Sequence, residues 1–282
     1  MSEWEAFVLG ALQGVTEFLP VSSSGHLVMA QMVLGVAVTG ILFEVTVHVA
    51  TVISILVAFR SRITDLVRGA LAGRREAWRY VGLLVVASLP VALTGLFLQN
   101  LVQELFEQPM VPAVALLVTG TFLWSTRFLK HAGEDDGVLT SVDASSAEVG
   151  TLEGGRGGPG FREALAMGVA QTVALIPGIS RSGATVVTGL WLGMEAGEAA
   201  IFSFLMGIPA ITGGGLLLAL QLRGSESGIS GLSLGIGFVV AAVVGVVSIR
   251  LFVAALQRNT FHRFGVYCWI LGSVFLLYLG LQ

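Results

Sequence analysis

Charged residues are scarce in this chain of 282 residues. Asp, Glu, Lys and Arg together make up 12% of it, whereas a soluble globular domain carries about 25%. Hydrophobic residues make up 55%, and the mean hydropathy is +0.87. The net charge is only −3, so neither sign dominates and no nucleic-acid partner is indicated. This composition argues against a soluble protein and predicts a multi-pass membrane protein surrounded by membrane lipids.

Cysteine is nearly absent. The single cysteine, Cys268, lies in a late apolar run, which excludes an intramolecular disulfide and a metal cluster built on cysteines. A basic N-terminal region is also lacking, because the chain starts with Glu3 and Glu5. We therefore expect no cleaved signal peptide and assign the first segment to the mature fold.

Long apolar runs predict an all-α protein with six transmembrane helices, since a span needs about 20 residues. Two further apolar segments, 5–36 and 162–193, are interrupted by Pro, Gly and Ser, and we interpret each as a re-entrant helix–loop–helix. The predicted spans lie near 41–59, 80–98, 110–129, 198–221, 231–254 and 264–281.

An internal repeat accounts for this arrangement. When the chain is shifted by 158 residues, 13–35 falls on 171–193 with eight identities in 23 positions, including Gln13 on Gln171 and Ser22 on Ser180. Because three spans follow each broken segment, the two copies must have opposite orientations. Inverted repeats of this kind place their interrupted helices together near the membrane midplane, where they form a site.

The predicted repeats cover 1–130 and 161–282, and a segment rich in Gly, Ser and acids, 131–160, separates them. This segment lacks hydrophobic periodicity, so we interpret it as a flexible linker. The loop at 60–79 carries six arginines, whereas the loop at 99–109 carries two acids and no basic residue. The positive-inside rule then places the linker in the cytoplasm and both termini outside.

The first break reads QGVTEFLPVSSSGH, residues 13–26. Gln13 and Glu17 lie one helical turn apart on the same face. The residue before Pro20 is biased away from helix, so the first half-helix should end near Leu19. Three serines, Ser22, Ser23 and Ser24, can cap a second half-helix that carries His26.

The second break reads PGISRSGAT, residues 177–185. Either Ser180 or Ser182 can cap the helix that follows, and the free N–H groups of such a helix suit a phosphate. Arg181 adds a planar group that can bind phosphate oxygens with two bonds. An arginine at membrane depth is costly, so we expect Glu17 to be its partner in the empty protein and an anionic ligand to replace it.

Together the two motifs resemble those of the undecaprenyl-diphosphate phosphatase family of integral membrane proteins. The stretches FEVTVHVAT, residues 43–51, and FSFLMGIPA, residues 202–210, are also similar to that family, so the resemblance covers nearly the whole chain. Many members have Glu where this chain has Gln13, which leaves Glu17 as the only acid of the motif. The linker is longer and more acidic than the family resemblance leads us to expect.

The resemblance implies hydrolysis of the terminal phosphate of a polyprenyl diphosphate, which regenerates the monophosphate lipid carrier for cell-envelope polymers. It also implies a location in the plasma membrane and a link to bacitracin resistance. On this basis we expect Glu17, Ser23, His26 and Arg181 to be catalytic. The residues expected to hold the substrate are Gln13, Ser22, Ser24, Ser180, Ser182 and Thr185.

Several points stay open at this stage. The nucleophile is either Ser23 or a water, and His26 is a general base or acid. A divalent cation, Mg²⁺ or Ca²⁺, is expected to offset the substrate charge, and Glu17 is either its ligand or the group that orients His26. The site is expected to open to the outer side. The sequence is compatible with a homodimer but does not decide the oligomeric state.

The alternative function is a transporter or flippase of the lipid carrier, because broken helices in an inverted repeat are typical of transporters. A non-catalytic ion channel would not explain why serine, histidine and arginine fall on the two breaks.

Overall fold

A computed structural model describes residues 1–34, 41–129, 158–221 and 229–281, and the side chains within these ranges except those at 30–34, 41 and 218–221. All regular structure in these ranges is helical. The helices are α1 (Glu3–Thr16), α2 (Ser23–Leu34), α3 (Ile41–Ala58), α4 (Arg60–Leu71), α5 (Arg75–Phe97), α6 (Gln99–Glu107), α7 (Met110–Ser125), α8 (Phe161–Val173), α9 (Arg181–Trp191), α10 (Ala196–Gln221), α11 (Gly231–Gln257) and α12 (Arg263–Gly280).

Within the described residues, five helices are long and apolar enough to cross a membrane: α5, α7 with the short turn that continues it to Phe128, α10, α11 and α12. A sixth span is reached when α3 and α4, which meet at an angle of 78°, are counted as one bent element. The prediction of a multi-pass all-α membrane protein is therefore confirmed. The linker predicted at 131–160 lies, except for its last three residues, outside the described part of the chain.

Two helices were missed, because the predicted loops at 60–79 and 99–109 contain α4 and α6. Both are short and amphipathic, and a search for apolar runs of about 20 residues passes over such helices. Arg62 of α4 forms an ion pair with Glu198 of α10 at 3.2 Å and lies over the ring of Tyr80, 5.1 Å from its centroid. These contacts attach α4 to the helices beside it.

Small residues allow the apolar helices to approach closely, as is common in membrane bundles. A Cβ on Gly10 of α1 would lie 2.6 Å from the carbonyl oxygen of Gly237 in α11. A Cβ on Gly265 of α12 would lie 2.6 Å from the carbonyl oxygen of Gly120 in α7. The backbones of α1 and α11, and of α7 and α12, are therefore in direct contact, and any larger side chain at these glycines would push them apart.

Corresponding helices of the two halves make corresponding contacts with the opposite half. Helix α1 packs on α11, and its counterpart α8 packs on α5. The first helices of the two halves also begin in the same way. Glu5 accepts a hydrogen bond from the Ser2 N–H at 2.8 Å, and Glu163 accepts one from the Gly160 N–H at 3.0 Å. Glu5 and Glu163 are 158 residues apart, the shift found in the sequence. The membrane orientation and the repeat boundaries stay predictions.

Candidate functional site

The first break begins where α1 ends at Thr16, three residues earlier than the end expected near Leu19. Glu17 is the C-terminal cap of this helix and is largely buried. Its Oε2 accepts hydrogen bonds from the Gln13 amide at 3.2 Å and from the Ser23 hydroxyl at 2.9 Å. The i, i+4 spacing of Gln13 and Glu17 therefore produces the expected contact, and the turn brings Ser23 to the same carboxylate.

The second break supplies the cation for this carboxylate. Arg181 is the first residue of α9, and its Nη2 lies 2.8 Å from Oε1 of Glu17. The side chains of both residues are nearly buried, with 15% and 8% of their surface exposed. The other guanidinium nitrogen, Nη1, donates to the carbonyl oxygen of Ser203 at 3.3 Å. The contact expected between Glu17 and Arg181 is thus present, and it joins the two breaks.

Gly207 on α10 makes room for the arginine. A Cβ built on Gly207 would run into the guanidinium of Arg181. Together with the Ser203 carbonyl one turn earlier, this glycine fixes where the arginine head lies. The sequence did not single out either residue, because both lie in a span that is apolar on most of its surface.

The ring of His26 is held at both nitrogens. Nδ1 lies 2.8 Å from the Ser22 carbonyl oxygen, and Nε2 lies 2.7 Å from the Tyr267 hydroxyl of α12. The carboxylate of Glu17 contacts Gln13, Ser23 and Arg181 among the described residues. The groups that orient His26 are therefore Ser22 and Tyr267 rather than Glu17, which was one of the two roles expected for that acid.

Ser22 and Ser24 shape the first break. Ser22 has a φ of +69°, a left-handed conformation that is unusual for a residue other than glycine. Its hydroxyl lies 3.3 Å from that of Ser24 and accepts a hydrogen bond from the Gly25 N–H at 3.4 Å, so Ser22 caps α2 as predicted. The Ser24 hydroxyl also accepts a hydrogen bond from the Gly178 N–H at 3.4 Å, which ties the two breaks together at the backbone.

The hydroxyls of the second break hold the backbone. Ser180 caps α9 by accepting the Gly183 N–H at 3.1 Å, as predicted. Ser182 donates to the Leu19 carbonyl at 3.4 Å, and Thr185 donates to the Arg181 carbonyl at 2.8 Å. In this state Ser180, Ser182 and Thr185 stabilise the turn, and their expected role in holding substrate stays a prediction.

Thr119 of α7 supports the second break through hydrogen bonds to its backbone. Its hydroxyl donates to the Gly178 carbonyl at 2.9 Å and accepts the Ser180 N–H at 3.1 Å. Gly178 has a φ of +97°, so the chain turns here in a conformation that suits glycine. The sequence missed Thr119, as it missed Tyr267 and Ser203, because a single polar residue inside an apolar span reads as a side chain bonded to its own helix.

Two side-chain oxygen atoms near the end of α1 could take part in holding a divalent cation. One is a carboxylate oxygen of Glu17, and the other is the buried Oε1 of Gln13, which has no hydrogen-bond partner among the described residues. No group of three or more His, Cys, Asp or Glu side chains within metal-binding reach occurs in the described ranges. These donors fit a hard cation that takes most of its ligands from water and phosphate oxygens, as Mg²⁺ usually does.

In chemical terms, the site combines a hydroxyl, an acid that accepts its proton, and a guanidinium at the start of a helix. The N-termini of α2 and α9 lie at the two breaks, so free backbone N–H groups and two positive dipole ends come close together. Such an arrangement suits an anion with several phosphate oxygens and a nucleophilic hydroxyl that attacks it.

Comparison with known proteins agrees with this chemistry. The family model described as "Bacitracin resistance protein BacA" matches residues 6–274. A relative from Desulfosudis oleivorans named "Undecaprenyl-diphosphatase" is 37% identical, with 100% of each chain covered. Relatives of the same name from Salinibacter ruber and Methanosphaera stadtmanae are 36% and 32% identical, with at least 95% of each chain covered. The match extends over all the described candidate spans and both breaks, and the chain belongs to the BacA family of bacitracin resistance proteins.

Proposed function

We propose that this protein hydrolyses undecaprenyl diphosphate to undecaprenyl phosphate and inorganic phosphate. The observation that carries the proposal is the cluster in which Ser23 donates to Glu17 and Glu17 pairs with Arg181. The curated relatives, which match the chain along its full length, are named for the same reaction. In cells this activity would recycle the lipid carrier of the envelope and would oppose bacitracin.

The substrate would enter with its diphosphate between the two breaks. Arg181, the backbone N–H groups at the start of α9 and the hydroxyls of Ser180, Ser182 and Thr185 would bind the phosphates, with Gln13, Ser22 and Ser24 on the opposite side. A bound diphosphate would compete with Glu17 for the guanidinium.

In the proposed reaction, the Ser23 oxygen forms a bond to the terminal phosphorus and the phosphoanhydride bond breaks. The Ser23 proton moves to Glu17, and undecaprenyl phosphate leaves as the anion. A water then attacks the phosphoserine, the bond between the phosphorus and Ser23 breaks, and Glu17 returns its proton to Ser23 as inorganic phosphate leaves. The proton of the water passes to His26, which releases it to solvent and returns to the neutral ring. The electrostatic contribution of Arg181 is largest in the transition state, where phosphoryl transfer depends on charge stabilisation and positioning.

A divalent cation, Mg²⁺ or Ca²⁺, belongs to this proposal, with Glu17 and the Gln13 carbonyl as protein ligands. It would supply charge neutralisation on the phosphate oxygens. If so, activity disappears in excess chelator and returns with added Mg²⁺ or Ca²⁺. Full activity in excess chelator would rule out the cation without affecting the roles of Ser23 and Arg181.

The test of the activity is phosphate release from undecaprenyl diphosphate by purified protein in detergent. Wild-type protein should release one phosphate per lipid, and Glu17→Gln should not. A matched control is Glu163→Gln, the same substitution at a helix start in the other half, which should keep wild-type turnover. A protein that moves the lipid across a vesicle membrane without releasing phosphate would contradict the proposal and would favour a flippase.

We also propose that the site opens to the outer side of the plasma membrane, since the arginine-rich surface of α4 and α5 is expected to face the cytoplasm. Cysteines at Ser2 and Gln108 should then react with an impermeant reagent in intact cells, whereas one at the exposed Leu71 should not. The native Cys268 is buried and should stay silent. The reverse labelling pattern would invert the topology.

A further inference from the structure

Tyr267 lies outside both sequence motifs, and its hydrogen bond with His26 joins the first break to the last helix, α12. Because Nδ1 of His26 faces a carbonyl oxygen, which can only accept, Nδ1 carries a proton. In the neutral ring Nε2 is then the bare nitrogen, and the Tyr267 hydroxyl donates to it at 2.7 Å. The tautomer of His26 is thus fixed by one contact and the direction of its ring by the other, which occupies the single lone pair of Nε2.

The tyrosine is itself well placed to fix that direction. Its ring lies parallel to the imidazole, with an interplanar angle of 5° and centroids 5.8 Å apart. The next residue, Cys268, contacts the Pro20 carbonyl of the first break at 3.6 Å through its sulfur. Upstream, Gly265 packs directly on the backbone of α7. Helix α12 is therefore held against both α7 and the first break around Tyr267.

The tyrosine hydroxyl can serve both protonation states of the ring. It donates to Nε2 of the neutral imidazole, and after rotation it accepts from Nε2–H of the imidazolium. Tyr267 is 45% exposed and His26 is 8% exposed, so the tyrosine is the more accessible of the two residues. Since the hydroxyl occupies the single lone pair of Nε2, a proton from a water reaches the ring through this hydroxyl.

We propose that Tyr267 is a positioning residue for catalysis: its hydroxyl orients the ring of His26, donates its own proton to Nε2 and takes up the proton that the attacking water releases. The inference rests on the proposed phosphatase activity and goes beyond it, since neither motif contains this residue. It also assigns the second half of the chain a role in the chemistry of the first break that is separate from the role of Arg181.

The test is Tyr267→Phe, which removes the hydroxyl and keeps the ring that packs beside His26. Because the hydroxyl acts through the histidine, kcat should fall about tenfold, the effect of one lost hydrogen bond in the transition state, with KM within about twofold. The control is Tyr278→Phe, the same substitution closer to the C-terminal end of α12. It should leave kcat and KM at the wild-type values.

A spectroscopic measurement separates positioning from a merely structural effect. The chain has four histidines, so 15N-histidine labelling with His26→Gln as the assignment control gives the His26 signals directly. Wild-type protein should show a protonated Nδ1 and a hydrogen-bonded bare Nε2. In Tyr267→Phe the Nε2 signal should move towards that of an unbonded ring nitrogen, and in Tyr278→Phe it should not move.

Several outcomes would overturn the inference. An unchanged Nε2 signal would mean that the hydrogen bond does not form, and an unchanged kcat would mean that it does not matter. A raised KM with unchanged kcat would make Tyr267 a substrate contact rather than a positioning residue. Wild-type protein that releases no phosphate would refute the proposed function instead, and the Nε2 signal would still report whether the contact exists.

Discussion

The two breaks share a backbone plan but carry different side chains. Both have a glutamine one turn before the break and two serines that frame the start of the next helix, at Ser22 and Ser24 and at Ser180 and Ser182. The first break adds an acid and a histidine, whereas position 175, which corresponds to Glu17, is leucine. The position equivalent to Ser23 is Arg181. On our proposal, the first break holds the reacting groups and the second holds the charge that binds substrate.

Each break is contacted by a helix from the opposite half of the chain. Thr119 of α7 holds the second break, and Tyr267 and Cys268 of α12 hold the first. Since α7 and α12 pack against each other through Gly120 and Gly265, one pair of helices supports both. Such crossing contacts explain how two separate turns can be kept within hydrogen-bond distance inside an apolar bundle.

The largest effect is expected from the first break. Glu17→Gln keeps the size of the side chain but removes the proton acceptor of Ser23 and the partner of Arg181. A lost general base costs about 10²–10⁴-fold, and an unpaired buried arginine adds to this, so kcat/KM should fall about 10³-fold or more. Steady-state phosphate release measures it, and residual activity above one tenth would remove Glu17 from the chemistry.

Arg181→Lys should follow, with a loss on the order of 10²-fold in kcat/KM and nearly the loss of Arg181→Ala. Lysine keeps the charge but cannot reach Glu17 and the Ser203 carbonyl with two fixed nitrogens. The three proteins should be compared on a short-chain prenyl diphosphate. A lysine variant within about threefold of wild type would show that charge alone is sufficient. The second break would then supply a positive charge without a fixed geometry.

A smaller loss should come from Gly207→Ala, which removes no polar group and displaces the guanidinium of Arg181. We expect kcat/KM to fall about tenfold, because a shift of the arginine head weakens each charge-assisted hydrogen bond that it makes. The control is Gly213→Ala on the same helix, where a Cβ meets no atom within 4 Å. Equal activity of the two variants would mean that the arginine does not need its present position.

The smallest effect on turnover is expected from Thr119→Val, which acts on the backbone of the second break. It leaves the Gly178 carbonyl and the Ser180 N–H without their partner, at a cost of about 1–3 kcal/mol in stability. Thermal unfolding in detergent should show a lowered Tm, with kcat/KM reduced only a few-fold. The control is Thr212→Val, because the exposed hydroxyl of Thr212 bonds only to its own helix. An equal Tm in both variants would show that Thr119 does not stabilise the second break.

The sequence predicted the site better than its surroundings. The Glu17–Arg181 contact was predictable because a lone arginine inside an apolar segment requires an acid or a ligand. The caps at Ser22 and Ser180 followed from the chemistry of helix starts. The end of α1 was misplaced, since hydrogen bonds from Glu17 and Leu19 to the preceding turn continue past the last regular helical residue.

The supporting residues could not be predicted for a physical reason. In a span that faces lipid on one side and apolar neighbours on the other, hydrophobic periodicity does not show which face is inside. The contacts of Thr119, Ser203 and Tyr267 depend on helix rotation and on partners up to 241 residues away. The short helices α4 and α6 were missed because their polar residues resemble those of loops.

The claim that the first break carries the nucleophile is tested most directly by comparing Ser23→Ala with Ser24→Ala. Ser24 is the matched control, because its hydroxyl bonds the backbone of the second break. In acid-quenched reactions, wild-type protein should yield a phosphorylated peptide containing Ser23. Ser23→Ala should yield none and lose about 10³-fold or more in kcat/KM, and Ser24→Ala should stay within about tenfold of wild type. Turnover by Ser23→Ala at more than a tenth of the wild-type rate would contradict the account and would make water the nucleophile.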